Sequence, residues 1–169
     1  MEDTLKAGII VVSDTVYEGR KQDVSGEVAR EILSSKGCQV VAKIVVPNRY
    51  REILRAINEL SGKTDFIIAI GGTGPSPRDI TVDVVESIAW RKIPGFGEIF
   101  RLRSYEEIGM RGAISRAELF ILANGTPVAV TPGSTAAVKL ALSLLLEIID
   151  HLVEESRRYE GQHRIYVEK

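Results

Sequence analysis

Residues 71–79 (GGTGPSPRD) combine the residue types in this chain that are best suited to binding an anion. Three of the first four are glycines, which let a backbone turn sharply and approach a ligand without Cβ clashes. Exposed N–H groups of such a loop, beside a helix start, favour phosphate. Arg78 can hold phosphate with two donors, whereas the Asp79 carboxylate suits a magnesium ion, the N–H groups of a heterocycle or a helix cap. A purely structural turn between a strand and a helix accounts for the same glycines equally well.

Three other segments carry polar groups that suit either structure or ligand binding. Ser13 and Asp14 follow directly on an apolar run. At such a position they are typical of a turn or a helix cap, and they could equally form a polar wall for a heterocyclic ligand. Residues 131–135 (TPGST) start a long helix. Either Ser134 or Thr135 is simply its N-cap, or this loop and the helix N-terminus hold a second phosphate. Ser115–Arg116 supplies a hydroxyl and a guanidinium, or is a plain surface position.

Strands and helices that alternate along the chain must position these loops. Short apolar runs predict buried strands at residues 7–12, 39–46 and 65–70. Asn124–Gly125 between two apolar runs predicts a hairpin whose two turn residues both have positive φ. Helical spacing predicts helices at 27–36, from an Asn48 N-cap through Leu60, from 79 or 81 through 88, at about 97–108 and at 135–155.

This order of elements predicts one α/β domain over residues 1–169, with a polar C-terminal tail from about Ser156 that holds a short IYV run. In open α/β sheets, ligands bind at the carboxyl ends of the strands. If the sheet is doubly wound, the loops after residues 12, 70 and 130 therefore converge on one edge.

Composition narrows the classes of function. The 169 residues are 44% hydrophobic, which suits one globular core. With 22 basic against 23 acidic residues, the chain lacks the basic excess of a nucleic-acid-binding protein. The single cysteine, Cys38, excludes an internal disulfide framework and a multi-cysteine metal cluster. The acidic N-terminus and the lack of an apolar run of about 18 residues predict a cytoplasmic protein without a signal peptide or membrane span.

Taken in order, the motifs resemble the MoaB/MogA family of molybdenum cofactor biosynthesis. They read VVSDTVYEGRKQDVSG, IAIGGTGPSPRDITVD, PGFGEIFRLRSYEEIG, ISRAELF and VTPGSTAAV, and the resemblance, which is greater to MoaB, covers about residues 7–153. It implies the MogA-like molybdopterin-binding fold: three layers, with a doubly wound, mostly parallel sheet and an antiparallel hairpin. It also implies a homotrimer or homohexamer that transfers the adenylyl group of Mg-ATP to the terminal phosphate of molybdopterin and releases pyrophosphate.

The resemblance further implies which residues bind the two substrates. Phosphate and pterin are held by the glycine-rich loop and its arginine, and the nucleotide side is lined by the third loop. In chain order these residues are Gly71, Gly72, Thr73, Gly74, Arg78, Pro132, Gly133 and Ser134. Ser13 and Asp14 face the same pocket.

Catalytic and metal-binding roles follow from the same resemblance. Asp79 matches the aspartate of the family's GGTG-x-x-x-R-D motif, and it contacts the pterin or orders Mg²⁺ together with Asp83. Ser115 matches the serine of the family's S-R motif, near the reacting phosphate, and Asp14 completes the catalytic set. An Asp79→Asn change is expected to abolish turnover and leave the fold intact.

One departure from the family pattern keeps a second function open. Asn48 stands where many MogA-like members carry an aspartate implicated in catalysis, and an amide binds Mg²⁺ less strongly and is no base. The alternative is therefore an oligomer that binds molybdopterin and passes it to other cofactor-biosynthesis proteins without adenylylating it. A CinA-like pyrophosphatase fits less well, because Arg78–Asp79 replaces the paired aspartates typical of that class. The sequence carries no flavin signature, and it does not distinguish molybdenum from tungsten.

Overall fold

All strands belong to one sheet in the computed structural model, which describes residues 4–158. The strands are β1 (Lys6–Val12), β2 (Gln39–Val46), β3 (Phe66–Ile70), β4 (Ala89–Lys92), β5 (Glu118–Leu122) and β6 (Pro127–Thr131). The helices are α1 (Asp14–Tyr17), α2 (Val24–Ser35), α3 (Tyr50–Ser61), α4 (Thr81–Ile88), α5 (Pro94–Ile108), α6 (Met110–Ala113), α7 (Thr135–Leu146) and α8 (Ile149–Arg157).

The sheet has the order β2-β1-β3-β6-β5-β4. Its first four strands are parallel, and β5 runs antiparallel to both of its neighbours. The chain leaves β1 toward one edge of the sheet and leaves β3 toward the other, which is the switch in direction that defines a doubly wound sheet. The carboxyl ends of β1, β3 and β6 consequently lie next to one another.

Two hydrophobic cores, one on each face of the sheet, make the fold three-layered. Consecutive residues of β1 alternate between them: Ile9 and Val11 pack into the core beneath α2, α5, α7 and α8, and Ile10 packs into the core beneath α3 and α4. Strands covered on both faces are apolar at nearly every position. The predicted fold class, with three layers, a mostly parallel sheet and an antiparallel hairpin, is confirmed.

The structure corrects the sequence prediction at the start of the helix before β3 and within the last predicted helix. Asn48 does not cap α3, because the helix begins one residue later than predicted and Arg49 occupies the N-cap position. The Asn48 N–H instead donates to Asp14 Oδ1 (2.8 Å). The helix predicted over 135–155 breaks between α7 and α8, so that Ile149 stays buried while Ile148 turns outward. The IYV run and most of the predicted polar tail lie outside the described residues.

Smaller differences concern turns and edges. Only Gly125 of the hairpin turn has a positive φ (+80°), so the prediction that Asn124 shares this conformation is wrong. Asn124 instead accepts a hydrogen bond from the Thr126 N–H at 3.1 Å. The edge strand β4 was not predicted, because it is largely exposed and lacks an apolar run. No helix within residues 4–158 has the length and hydropathy needed to cross a membrane.

Candidate active site

A cavity of about 350 Å³ opens at the carboxyl ends of β3 and β6. It brings together most of the site residues predicted from the sequence. The predicted residues that line it are Gly72, Thr73, Gly74, Asp79, Ser115, Pro132, Gly133 and Ser134. The three segments that carry them are separated by about 40 and 20 residues in sequence. They meet because β3 and β6 end, and the antiparallel β5 begins, on the same side of the sheet.

Two glycines give the loop after β3 a backbone that other residues rarely adopt. Gly71 (φ +100°) and Gly72 (φ +71°) both have positive φ, and a Cβ on Gly71 would lie 2.3 Å from the carbonyl oxygen of Val12. The Gly71 N–H donates to the Thr131 carbonyl (2.8 Å), which joins this loop to the loop after β6. The glycines therefore allow β3 to end in a tight turn against both neighbouring strands.

Backbone N–H groups give this loop its capacity to bind anions. The N–H groups of Gly72, Thr73 and Gly74 donate no hydrogen bond to any residue from 4 to 158. All three residues line the cavity. Consecutive unpaired N–H groups in a turn form a concave site for an anion such as phosphate.

The loop after β6 forms a second site of the same kind. Ser134 is the N-cap of α7, since its hydroxyl accepts a hydrogen bond from the Ala137 N–H at 3.2 Å. The first turn of the helix leaves further N–H groups without intrahelical partners, and the helix dipole favours negative charge there. From outside the cavity, the Ser25 hydroxyl donates to the Gly133 carbonyl (2.6 Å) and fixes this loop against α2.

Asp79 places a carboxylate in the wall between these loops. Helix α4 begins after an Ile80 N-cap that makes no side-chain bond, so the cap role considered for Asp79 is not observed. Among the described residues the Asp79 carboxylate has no hydrogen-bond donor or ion-pair partner. A Cβ on Gly74 would lie 2.5 Å from Asp79 Oδ2, so the glycine provides the space that the carboxylate occupies.

Arg116 braces the glycine-rich loop from behind. Its backbone N–H donates to the Thr73 carbonyl (2.9 Å), and its guanidinium donates to the carbonyls of Gly74 (3.1 Å) and Asp79. The same guanidinium forms a two-point ion pair with Asp83. This pairing lowers the pKa of the Asp83 carboxyl and raises that of Arg116.

Gly71, whose N–H donates to the Thr131 carbonyl, does not itself line the cavity, and four other predicted site residues lie beside the cavity without lining it. Asp83 is the first, because its carboxylate faces Arg116. Arg78 and Asp14 form an ion pair of 2.6 Å, and Ser13 caps the short helix α1 by accepting from the Val16 N–H. The Asn48 backbone N–H, followed by Arg78, lowers the pKa of the Asp14 carboxyl. The roles given to these four by the resemblance remain predictions.

Two buried polar atoms next to Gly72 lack partners in the described part of the chain. They are Asn48 Oδ1 and Thr81 Oγ1. A Cβ on Gly72 would lie 3.2 Å from the first and 2.1 Å from the second. Buried polar groups are nearly always hydrogen-bonded in folded proteins, so the floor of the glycine-rich loop has an acceptor and a hydroxyl available to a water or a ligand.

One wall of the cavity was not predicted from the sequence. It comes from α5, α6 and the segment before β5, and its residues are Phe100, Ser104, Ile108, Arg111, Gly112 and Ile114. Nothing in the spacing of these residues marks a ligand site, because apolar and charged side chains are mixed around all sides of α5. The wall gives the cavity an apolar side that suits a flat heteroaromatic ring.

The donor set suits Mg²⁺ only if the substrates supply most of its ligands. Within residues 4–158, no group of three or more His, Cys, Asp or Glu side chains could hold a metal ion. Mg²⁺ typically keeps several waters and binds through one or two carboxylates plus substrate phosphates. The unpaired Asp79 carboxylate, next to two phosphate-binding loops, fits that pattern.

Comparison with known proteins places the chain among molybdenum cofactor proteins. Residues 8–151 match the family described as the probable molybdopterin binding domain. The chain belongs to this family. The resemblance found in the motifs is thereby confirmed, and the matched residues include all three loops of the cavity.

Similar proteins within the molybdopterin-binding family match over nearly their whole length. A protein of Pyrococcus furiosus named molybdopterin adenylyltransferase is 32% identical over 157 residues, which is 91% of this chain and 92% of that protein. The molybdenum cofactor biosynthesis protein B of Bacillus subtilis is 35% identical over 162 residues, 92% of each. The crystal structure of the tungsten cofactor synthesizing protein MoaB from Pyrococcus furiosus has a TM-score of 0.86 at 33% identity, covering 94% of this chain and 100% of that one.

Proposed function

We propose that this protein is a molybdopterin adenylyltransferase of molybdenum or tungsten cofactor biosynthesis. The observation that carries the proposal is the cavity, in which two anion-binding loops lie side by side with one unpaired carboxylate, Asp79. A reaction that joins two phosphate-bearing substrates needs two such sites next to each other. The names of the relatives in Pyrococcus furiosus and Bacillus subtilis support the same reaction and pathway.

Catalysis of adenylyl transfer depends mainly on positioning the two substrates and on neutralising the charge of their phosphates. An oxygen of the pterin's terminal phosphate attacks the α-phosphorus of ATP, the bond to the β-phosphate oxygen breaks, and pyrophosphate leaves with the electron pair. The N–H groups of residues 72–74 and of the α7 N-terminus hold the phosphates, and the Ser115 hydroxyl lies in the same cavity. Asp79 holds the Mg²⁺ ion, which neutralises phosphate charge when bound.

The apolar wall has a role in the same reaction. Both substrates carry a flat heteroaromatic ring, and Ile108 and Ile114 expose their side chains to the cavity. Stacking of a ring on these side chains buries apolar area, at about 25 cal/mol for each Å². The wall therefore orients one ring while the loops hold its phosphate.

A molybdopterin carrier is the second candidate function. Asn48 favours it, because this residue occupies the position of a family aspartate and its amide oxygen is buried beside Gly72 without a partner. A neutral amide there can accept a hydrogen bond from the pterin, but it cannot take up a proton. Such a protein binds the pterin and hands it to another cofactor-biosynthesis protein without consuming ATP.

We also propose that the protein is a cytoplasmic homotrimer or homohexamer. Apolar side chains on α5 and α6 outside the cavity lining are exposed in the single chain, including Ile99 (50%), Leu102 (58%) and Met110 (71%). A monomer rarely exposes so many neighbouring apolar residues unless a partner covers them. Association of identical chains through these helices buries the patch and places the oligomer contact next to the cavity wall.

One incubation distinguishes the two functions. The purified protein is mixed with molybdopterin, ATP and Mg²⁺, and the products are separated by liquid chromatography with pyrophosphate measured in parallel. Adenylylated pterin and pyrophosphate in equal amounts establish the transferase. Bound pterin with unchanged ATP contradicts the transferase and supports the carrier.

A further inference from the structure

Four arginines lie at or around the cavity. Arg101 donates to the carbonyls of Ser115 and Ala117, and two of the other three are neutralised by carboxylates. Arg78 pairs with Asp14 at 2.6 Å, and Arg116 pairs with Asp83. The third, Arg111, lines the cavity and forms no ion pair or hydrogen bond with any residue from 4 to 158. It is the one cationic side chain among the described residues that line the cavity.

The backbone of Arg111 is held in place by its neighbour. A Cβ on Gly112 would lie 2.5 Å from the backbone carbon of Ser104, so the glycine lets α6 pack directly against α5. The Gly112 N–H also donates to the Gly109 carbonyl at 2.9 Å. Close packing of these two helices fixes the point from which the Arg111 side chain reaches the cavity.

Arg111 is open to solvent, as are Ile108 (59%) and Ile114 (60%), which line the same wall. A dissolved anion can therefore reach the guanidinium directly. Asp79, which also lines the cavity, carries the opposite charge; it lies near enough to Arg116 to help raise the pKa of that guanidinium, but it forms no ion pair with any residue from 4 to 158. The cavity thus contains one cation and one anion that are not ion-paired within the described part of the chain.

We propose that Arg111 binds a phosphate group of the substrates, in the role that the sequence gave to Arg78. The inference rests on the proposed function, in which two anionic substrates must approach each other in one cavity. A planar guanidinium with free donors can bind phosphate through two parallel hydrogen bonds. Arg78 and Arg116 shape the surrounding loops, and Arg111 supplies the charge that meets the ligand.

The test measures binding of inorganic pyrophosphate and of ATP by isothermal titration calorimetry, without molybdopterin. Loss of one charge-assisted contact in Arg111→Ala weakens binding of both by about tenfold. Arg111→Lys, which keeps the charge and loses the two-point geometry, recovers part of this loss, and Arg111→Glu binds more weakly than the alanine variant. The control is Arg103→Ala, which removes an exposed guanidinium of α5 that pairs with Glu106 at 3.4 Å.

The outcomes separate this inference from the proposed function. If Arg111→Ala binds both anions within about twofold of the unchanged protein, or if Arg103→Ala loses as much, the role of Arg111 is wrong. If the unchanged protein transfers the adenylyl group but anion binding does not depend on Arg111, only the proposed role of Arg111 is overturned. If anion binding depends on Arg111 but the protein transfers no adenylyl group, the phosphate site stands and the proposed transferase activity is overturned.

Discussion

Arg116 and Asp83 form a two-point ion pair, with Nη1 2.9 Å from Oδ1 and Nη2 3.0 Å from Oδ2. The pair anchors Arg116 where it also holds the carbonyls of Thr73, Gly74 and Asp79. Since the C=O and N–H of a trans peptide point in opposite directions, holding the Thr73 carbonyl turns the Gly74 N–H away from Arg116. The ion pair thereby shapes the anion site without lining the cavity.

Replacing Arg116 should damage both stability and anion binding. Arg116→Ala leaves loop carbonyls and the Asp83 carboxylate without their donor, at a cost of about 1–3 kcal/mol in the free energy of unfolding. Asp83→Asn keeps the carbonyl contacts, so its effect on urea unfolding and on pyrophosphate binding should be smaller. Equal effects of the two substitutions would show that the ion pair, and not the carbonyl contacts, holds the loop.

Asp79 should be the carboxylate on which turnover depends. Asp79→Asn keeps the size of the side chain and removes the charge that holds Mg²⁺, so kcat should fall by at least about a hundredfold. Circular dichroism and thermal unfolding should stay close to those of the unchanged protein, because this carboxylate has no bonds within the described structure.

The matched control for Asp79 is Asp83→Asn, four residues further along the chain, which lies on α4 and outside the cavity. If Asp83 binds metal as the resemblance implies, its variant should need a higher Mg²⁺ concentration for half-maximal rate. If Asp83 only braces Arg116, the dependence on Mg²⁺ should be unchanged. Near-normal turnover of Asp79→Asn would remove Asp79 from the mechanism.

Structural features that depend on residues close in the chain are predicted from the sequence, whereas contacts between residues distant in the chain are not. The apolar run that forms β3 and the glycines that follow it are a local pattern, and both the strand and the tight turn are found where predicted. The partner of Arg116 lies 33 residues away, so whether a given arginine meets phosphate or a carboxylate is decided by the fold. For the same reason the glycine-rich motif points to Arg78, and nothing in the sequence marks Arg111 as a phosphate ligand.

Gly72 should tolerate no side chain, for two separable reasons. Gly72→Ala places a residue at φ +71° and also pushes a Cβ to 2.1 Å from Thr81 Oγ1. Gly19 has a similar φ (+72°) and open space around it, so Gly19→Ala should cost only the backbone term of about 1–2 kcal/mol. Urea unfolding should show a larger loss for Gly72→Ala, and an equal loss would mean that the loop moves to relieve the contact.

Glu118 should make the protein less stable as the pH rises. Burial raises the pKa of this carboxyl above its ordinary value of 4.5, and the Leu119 N–H and Lys92 offset the effect only in part. The folded chain therefore binds this proton more tightly than the unfolded chain. The resulting stability is complete below the unfolded pKa and is lost as the pH rises through the folded pKa.

Glu118→Gln removes the titrating group and keeps an oxygen that can accept from the Leu119 N–H. Its free energy of unfolding should fall less between pH 4 and pH 7 than that of the unchanged protein, as measured by urea unfolding at several pH values. Glu107→Gln, at an exposed position of α5, is the matched control. A steeper loss of stability in Glu118→Gln would mean that the ion pair with Lys92 outweighs burial.

Leu102 should lie in the contact between subunits. The side chain is 58% exposed in the single chain and sits among other exposed apolar residues of α5. Leu102→Glu would bury a charge in that contact, at a cost of several kcal/mol, and light scattering after size exclusion should show a smaller assembly than the unchanged protein forms. Val24→Glu, at a similarly exposed position (52%) on α2, should leave the assembly intact. If both variants keep the mass of the unchanged oligomer, the subunits associate through another surface and the apolar patch on α5 needs a different partner.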